Sequence, residues 1–285
     1  MARRLNFWKM HGLGNDYVVI DNRGGELSEE ELPDLAIKLC RRRVGVGADG
    51  LLLVCNSRVA DAKMRIFNPD GTEAEMCGNG IRCFAKYCFE NGIARKNVIS
   101  VETLAGIKEL RLKVVEGAVT SVRVNMGSPC FEAEKIPIIG NGTFINKPLD
   151  VDGKILMATA LSMGNPHCVI FVNNIDDYPV DVIGPKVENH KLFPKRTNVE
   201  FVQVISRKRL KVRVWERGVG ETLACGTGAC ASVVAAKVLG KMEEGVIVEL
   251  PGGKLIVEYE GNVVFMEGPA EKVFEGKVSI WEVKI

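Results

Sequence analysis

Short apolar runs bounded by turn residues dominate this chain. "YVVIDN" (17–22), "GLLLVCN" (50–56) and "AKMRIFN" (62–68) read as strands separated by loops. "KELRLKVVEG" (108–117) and "VTSVRVNMG" (119–127) alternate apolar and polar positions as strands do. Helical spacing is rarer. "LPDLAIKLCRR" (32–42) puts Leu35, Ala36 and Leu39 on one face, with Pro33 tolerated in the first turn. "GIRCFAKYCFENG" (80–92) repeats Ile81, Phe84, Ala85 and Cys88 at helical intervals, and Gly92 is its stop signal. "CGTGACASVVAAKVLG" (225–240) is apolar nearly all round, so it predicts a helix buried on most sides and closed by Gly240.

Four pairs of stretches recur in one order at nearly one spacing. "GNDYVVI" from Gly14 matches "GNPHCVI" from Gly164, 150 residues on. "ADGLLLV" from Ala48 lies opposite "TNVEFVQV" from Thr197, about 149 on. "RIFNPDG" from Arg65 lies opposite "RVWERG" from Arg213, and "CGNGIRC" from Cys77 opposite "CGTGACA" from Cys225, both 148 on. This predicts an internal duplication: two similar halves, each an extended β region with one helix. Two such halves would pack about a pseudo-twofold axis with equivalent helix N-termini at one cleft. A domain junction is a common place for a small ligand.

Composition narrows the picture. The 285 residues are 46% hydrophobic and 26% charged, a globular composition long enough for one large domain or two of about 140 residues. With 38 basic against 36 acidic residues, a net of +2, no nucleic-acid partner is expected. The run "RRR" (41–43) reads as a solvated helix end. "MARRLNFWKMHG" carries no signal-peptide core, and no stretch approaches the ~18 apolar residues of a spanning helix. No membrane association and a cytoplasmic location are the expectation.

Nine cysteines are scattered without a C-x-x-C, and the three histidines (His11, His167, His190) do not pair at ligand spacing. No metal site and no disulfide scaffold are expected. Cys40, Cys55 and Cys88 read as small core hydrophobes, and Cys83 and Cys230 sit about one turn inside helices.

Cys77 and Cys225 differ from these. Each directly precedes a Gly-x-Gly segment that opens a helix. The first N–H groups of a helix have no internal partner and, with the helix dipole, attract an anion such as a carboxylate. Glycines let a ligand approach the backbone, and a helix N-terminus favours thiolate. Inverting a carbon that bears a hydrogen needs a proton removed from one face and delivered to the other. Two equivalent thiols, one ionised and one protonated, suit that task by general acid–base catalysis. Converging N–H groups would stabilise the charge that develops on the substrate carboxylate.

The segments "KMHGLGNDYVVID", "FNPDGTEAEMCGNGIRC", "MGNPHCVIFV", "RTNVEFVQV" and "VRVWERGVGETLACGTGA" resemble those of the diaminopimelate epimerase family, in order and over nearly the whole chain. The resemblance implies interconversion of LL- and meso-diaminopimelate, in lysine and peptidoglycan precursor synthesis, with no metal, pyridoxal phosphate or other cofactor. It makes Cys77 and Cys225 the base and acid, with His167 and Glu216 assisting. Gly78, Asn79, Gly226 and Thr227 would hold the α-carboxylate. Asn15, Asn68, Asn165, Asn198, Glu216 and Arg217 would contact substrate. A planar guanidinium at Arg217, beside Glu216, suits the distal carboxylate and ammonium of such a substrate.

The implied fold is α/β (α+β), in two pseudo-symmetric halves. Each half is a β-barrel-like sheet around a central helix, with the active site in the cleft between them. Residues 1–126 with 271–285 form the half carrying Cys77, and 127–270 the half carrying Cys225. The final stretch "KVSIWEVKI" returns to the first half, and a homodimer is implied. One departure is Gly50, which stands where many members carry a substrate-contacting Gln.

Two other readings compete. Another cofactor-independent racemase of this fold, of the histidine or proline type, would share the cysteine pair. Proline-type enzymes usually carry His where Asn79 stands. A non-catalytic amino-acid-binding module would need no paired thiols. His11 and His190 are assigned no role.

Overall fold

A computed structural model describes residues 3–280. The fold is mixed α+β and mostly sheet, with four α-helices among the described residues. It divides into two compact units. One runs to Val124 and resumes at Gly268; the other is Asn125–Glu267.

In the first unit β1 (Arg3–Gly12) and β2 (Asn15–Asp21) form an antiparallel hairpin. Helix α1 (Leu32–Cys40) crosses over to β3 (Gly50–Cys55), parallel to β2. β4 (Ala62–Phe67) pairs antiparallel with β3, and the short β5 (Glu73–Ala74) with β4. Helix α2 (Gly78–Glu90) then leads to β6 (Val98–Thr103), parallel to β4. β7 (Gly106–Val115) and β8 (Ala118–Gly127) continue antiparallel.

The second unit repeats this order. β9 (Lys147–Val151), β10 (Lys154–Ser162) and β11 (Pro166–Phe171) are antiparallel, and α3 (Val180–Glu188) crosses to β12 (Asn198–Ser206), parallel to β11. β13 (Arg209–Glu216) and β14 (Gly220–Thr222) follow antiparallel; α4 (Gly226–Val238) then leads to β15 (Val246–Leu250), parallel to β13. β16 (Gly253–Glu260) and β17 (Val263–Gly268) close the series. Finally β18 (Glu271–Ile280) pairs antiparallel with β1, taking in the first unit the place β9 takes in the second. Of "KVSIWEVKI", residues 281–285 lie outside the described residues.

Among the described residues no pairing joins β18 to β8 or β9 to β17, so the barrel-like sheet expected of each half is open, not closed. The register also corrects the spacing of the repeat. Tyr17 lies opposite Gly50, and His167 opposite Asn198. The offset is therefore 148 from Gly50 onward; the 149 read at Ala48 is one residue out of register, because the crossover to β12 is shorter than that to β3.

Both faces of the central parallel pair are covered, which is why "GLLLV" is continuously apolar. Val18, Ile20, Leu51 and Leu53 pack with Leu32, Leu35 and Leu39 of α1. Tyr17, Leu52 and Ile66 face Gly80 of α2. In the second unit Cys168, Ile170, Val199 and Phe201 pack with Val180 and Val187 of α3. Glu200 and Val214 face Gly228 of α4. Ala229 through Ala236 of that helix are all buried, as its all-round apolar sequence predicts.

Helix α1 stops two residues before its predicted end. Gly45, Gly47 and Ala48 donate back to Arg41, Leu39 and Cys40 at 2.9, 2.9 and 3.1 Å. A Cβ on Gly45 would lie 2.4 Å from the Lys38 carbonyl, so only glycine makes this cap. Arg41, Arg42 and Arg43 are all exposed, as a solvated helix end predicts, and Arg42 also makes ion pairs. Arg42 bridges Asp16 and Asp49, each at 2.7 Å, and Lys9 also pairs with Asp16. One turn into α2, Arg82 is fully buried and donates to Gly78 O (2.9 Å), Asn79 Oδ1 (3.0 Å) and Pro269 O (3.1 Å).

Two predictions follow from these ties. Arg82→Met keeps the stem but removes the buried guanidinium's bonds to Gly78 O, Asn79 Oδ1 and Pro269 O, and should cost about 3 kcal/mol in urea unfolding. Burial alone would raise the Asp16 carboxyl, but Arg42 and Lys9 hold it down at about 2, below the ordinary 3.8. That contribution is complete above the ordinary value and is lost as pH falls through about 2. Arg42→Ala should therefore lower the melting temperature at neutral pH, and the gap to wild type should close near pH 2.

Candidate active site

In the first unit Cys77 is the N-cap of α2, extended at φ −139°, ψ 125°. Its carbonyl accepts the Ile81 N–H at 2.9 Å, which sets Cys77 at the start of the helix. A Cβ on Gly80 would approach Tyr17, Leu52 and Ile66 within 3.3–3.5 Å, which shows how closely the turn lies against the strands. Cys77 Sγ is 2.9 Å from the Tyr17 hydroxyl and 3.7 Å from Asn15 Oδ1. Asn15 Oδ1 also accepts from the Tyr17 hydroxyl and from Asn79 Nδ2 at 3.2 Å. Its Nδ2 donates to Asp49 at 2.9 Å, the carboxylate that Arg42 grips. Asn15, Cys77, Gly78 and Asn79 thus meet at one place in this unit.

Asn68 follows β4, where its side chain donates to Thr72 Oγ1 at 2.9 Å and closes a tight turn. Gly50 has a packing reason. A Cβ there would sit 3.2 Å from the Tyr17 ring and 3.1 Å from the Phe67 carbonyl.

In the second unit Cys225 caps α4 with the same geometry, φ −119°, ψ 115°. Its sulfur accepts the Gly228 N–H at 3.4 Å and lies 3.4 Å from the Thr227 hydroxyl. Burial pushes this thiol well above its ordinary range, and the Glu216 and Glu200 carboxylates add to the rise. Asn165 Nδ2 donates to Thr227 Oγ1 at 3.3 Å, and Asn165 Oδ1 lies 2.9 Å from His167 Nε2. His167 Nδ1 is 2.7 Å from Glu200 Oε1, both side chains having no exposed surface. Burial raises the Glu200 carboxyl and the imidazole beside it opposes the rise, so the two hold each other in place.

Glu216 ends β13, where Thr222 donates to it at 2.5 Å. Asn198 bonds Pro166 O (2.8 Å) and accepts the Arg217 N–H (2.9 Å), which shapes the loop carrying Glu216 and Arg217. Among the described residues the Arg217 guanidinium donates to Lys195 O at 3.3 Å, and Arg217 is exposed.

Three features escaped the sequence reading. Tyr17 read only as a strand residue, although the repeat sets it at the place of His167. Glu200 read as one polar position in an apolar strand, and its burial depends on α4 lying over it. The Arg42–Asp49 clamp on Asn15 joins residues with no pattern in common. The residues set aside behave as packing. Cys83 and Cys230 are fully buried, and burial raises the Cys83 thiol to about 12. His190 contacts Asp150 O at 3.0 Å, and His11 accepts the Gly14 N–H at 3.3 Å. Among the described residues no helix is long and apolar enough to cross a membrane.

Along its length the chain is similar to proteins of one family. The family model for diaminopimelate epimerase matches residues 7–132 and 159–273. The diaminopimelate epimerase of Moorella thermoacetica is 53% identical over 275 residues, covering 95% of this chain and 98% of its own. That of Acetivibrio thermocellus is 52% identical over 282 residues, covering 98% and 100%. A solved phenazine biosynthesis protein of Bacillus anthracis superposes with a TM-score of 0.72 at 22% identity, over 98% of this chain and 100% of its own, and so shares the fold. Two capped cysteine turns in a duplicated fold, with matches of this extent along the chain, make it a member of the diaminopimelate epimerase family, a family of isomerases.

Proposed function

We propose that the chain interconverts LL- and meso-diaminopimelate by proton transfer at the α-carbon, with Cys77 and Cys225 as the two proton carriers. The observation that carries this reading is the matched pair of N-cap cysteines, one in each copy of the duplicated fold. A thiolate removes the α-proton and the electron pair remains on the substrate, delocalised toward its carboxylate. The other thiol delivers its proton to the opposite face and becomes the thiolate. Burial and the Glu216 and Glu200 carboxylates favour the protonated form of the Cys225 thiol, which suits it to deliver a proton. The N–H groups of Gly78, Asn79, Gly226 and Thr227, at the starts of α2 and α4, receive the α-carboxylate. They stabilise the charge that develops on it.

The remaining residues divide the substrate's other contacts. Asn15, Asn68, Asn165 and Asn198 supply amides. Arg217 and Glu216 suit the distal carboxylate and ammonium. His167 and Glu216 set the surroundings of Cys225. No cofactor takes part, and the enzyme works in the cytoplasm as a homodimer.

The test is incubation with LL-diaminopimelate, proline or histidine in deuterated water. Solvent deuterium should enter diaminopimelate alone; its absence there would sink the reading, and uptake into another amino acid would reassign the substrate. Cys77→Ala and Cys225→Ala should each lower epimerisation by about 10³-fold or more, since one face of the carbon then lacks its proton carrier. Near-normal turnover by either variant would refute the two-thiol assignment.

A further inference from the structure

Cys77 Sγ has a partner to which the duplicated pattern assigned no task. The Tyr17 hydroxyl lies 2.9 Å away, on a side chain only 2% exposed. The same hydroxyl contacts Asn15 Oδ1. A phenol has one proton to donate, and here two acceptors compete for it. In the second unit the ring two residues after the matching Asn165 is His167, and its Nε2 contacts Asn165 Oδ1 at 2.9 Å. The segments "GNDY" and "GNPH" therefore build one device twice, an asparagine amide held by a ring donor next to a capped cysteine.

We propose that Tyr17 is a catalytic residue, whose hydroxyl donates to the Cys77 sulfur whenever that sulfur is a thiolate. The inference rests on the reading of Cys77 as a proton carrier. When Cys77 gives its proton to carbon, the S–H bond breaks and the electron pair stays on sulfur. The Tyr17 O–H then turns from Asn15 Oδ1 to the sulfur, and Asn79 Nδ2 still serves Asn15. When the thiolate takes a proton from carbon, an S–H bond forms and the phenol proton returns to Asn15. Tyr17 keeps its own proton throughout.

The surroundings enforce this. Burial pushes the phenol well above its ordinary range, and the adjacent Cys77 adds to the rise. The ionisable groups that act on it are Cys77 at the cap of α2, Cys83 within α2 and Asp49 ahead of β3, and the negative charge of each, when ionised, disfavours a phenolate. Gly50 fits the same picture, since a side chain there would press on the Tyr17 ring.

Tyr17→Phe removes the hydroxyl alone. In a Cys225→Ala background, the rate at which iodoacetamide alkylates Cys77 is followed against pH, with the labelled peptide identified by mass spectrometry. The midpoint should rise by about one pH unit when the hydroxyl is lost. With Cys225 present, kcat should fall about tenfold while KM changes little. A midpoint that does not move overturns the proposal, because a purely structural tyrosine would leave the thiol's ionisation unchanged. If Tyr17→Phe does not fold, 3-fluorotyrosine at position 17 reads the same contact. Its stronger donor should lower the midpoint, and an unchanged value again overturns the proposal. The alkylation assay needs no substrate. An unmoved midpoint in an active epimerase defeats the Tyr17 assignment alone, and a shifted midpoint in a protein inert toward diaminopimelate defeats only the function.

Discussion

The close approach of each helix start to the strands beneath it is the constraint on which the rest depends. Gly80 lies against Tyr17, Leu52 and Ile66, and Gly228 against Glu200 and Val214. A side chain at Gly228 would meet Glu200 Oε1 at 2.8 Å, so Glu200 would have to leave its place beside His167 for the turn to seat. Seated, it brings the N-cap sulfur within 2.9 Å of Tyr17 on β2 in one unit; in the other the sulfur contacts Thr227 of the same turn, which Asn165 links to His167 on β11. The second glycine of each Cys-Gly-x-Gly is thus a packing residue. In the second unit the N–H of that glycine also donates to the Cys225 sulfur at 3.4 Å.

The two copies have kept this geometry and exchanged the chemistry behind it. The register sets Tyr17 and Leu52 of the first unit in the places of His167 and Glu200 in the second. A phenol over an aliphatic floor carries no charge. An imidazole with a carboxylate, both without exposed surface, is costly unless each satisfies the other, and their 2.7 Å contact does so. Glu200 Oε2 nevertheless has no hydrogen-bond partner among the described residues. The units therefore offer unlike surroundings to like cysteines, and the rise of the Cys225 thiol is one result.

Much of this was legible in the chain itself. The duplication, both cysteine turns and the strands of the central sheet follow from spacing and periodicity, because backbone pattern and glycine placement are local signals. Less legible were features that need two distant segments to be seen together. "RRR" has the composition of a solvated helix end and is exposed, yet Arg42 also pairs with Asp16 and Asp49. Gly50 looked like a lost contact, whereas a Cβ there would press on the Tyr17 ring at 3.2 Å.

By itself, then, the sequence determined a duplicated α+β chain, its two capped cysteines and its family. These depend on residue type at fixed intervals, and an interval survives without coordinates. Tertiary structure alone decided that the sheets stay open, that Glu200 is buried under α4, and that Tyr17 rather than a histidine stands by Cys77. Burial and contact between segments 30 to 60 residues apart depend on which element covers which face, and one-dimensional alternation leaves that open when both faces of a strand are covered.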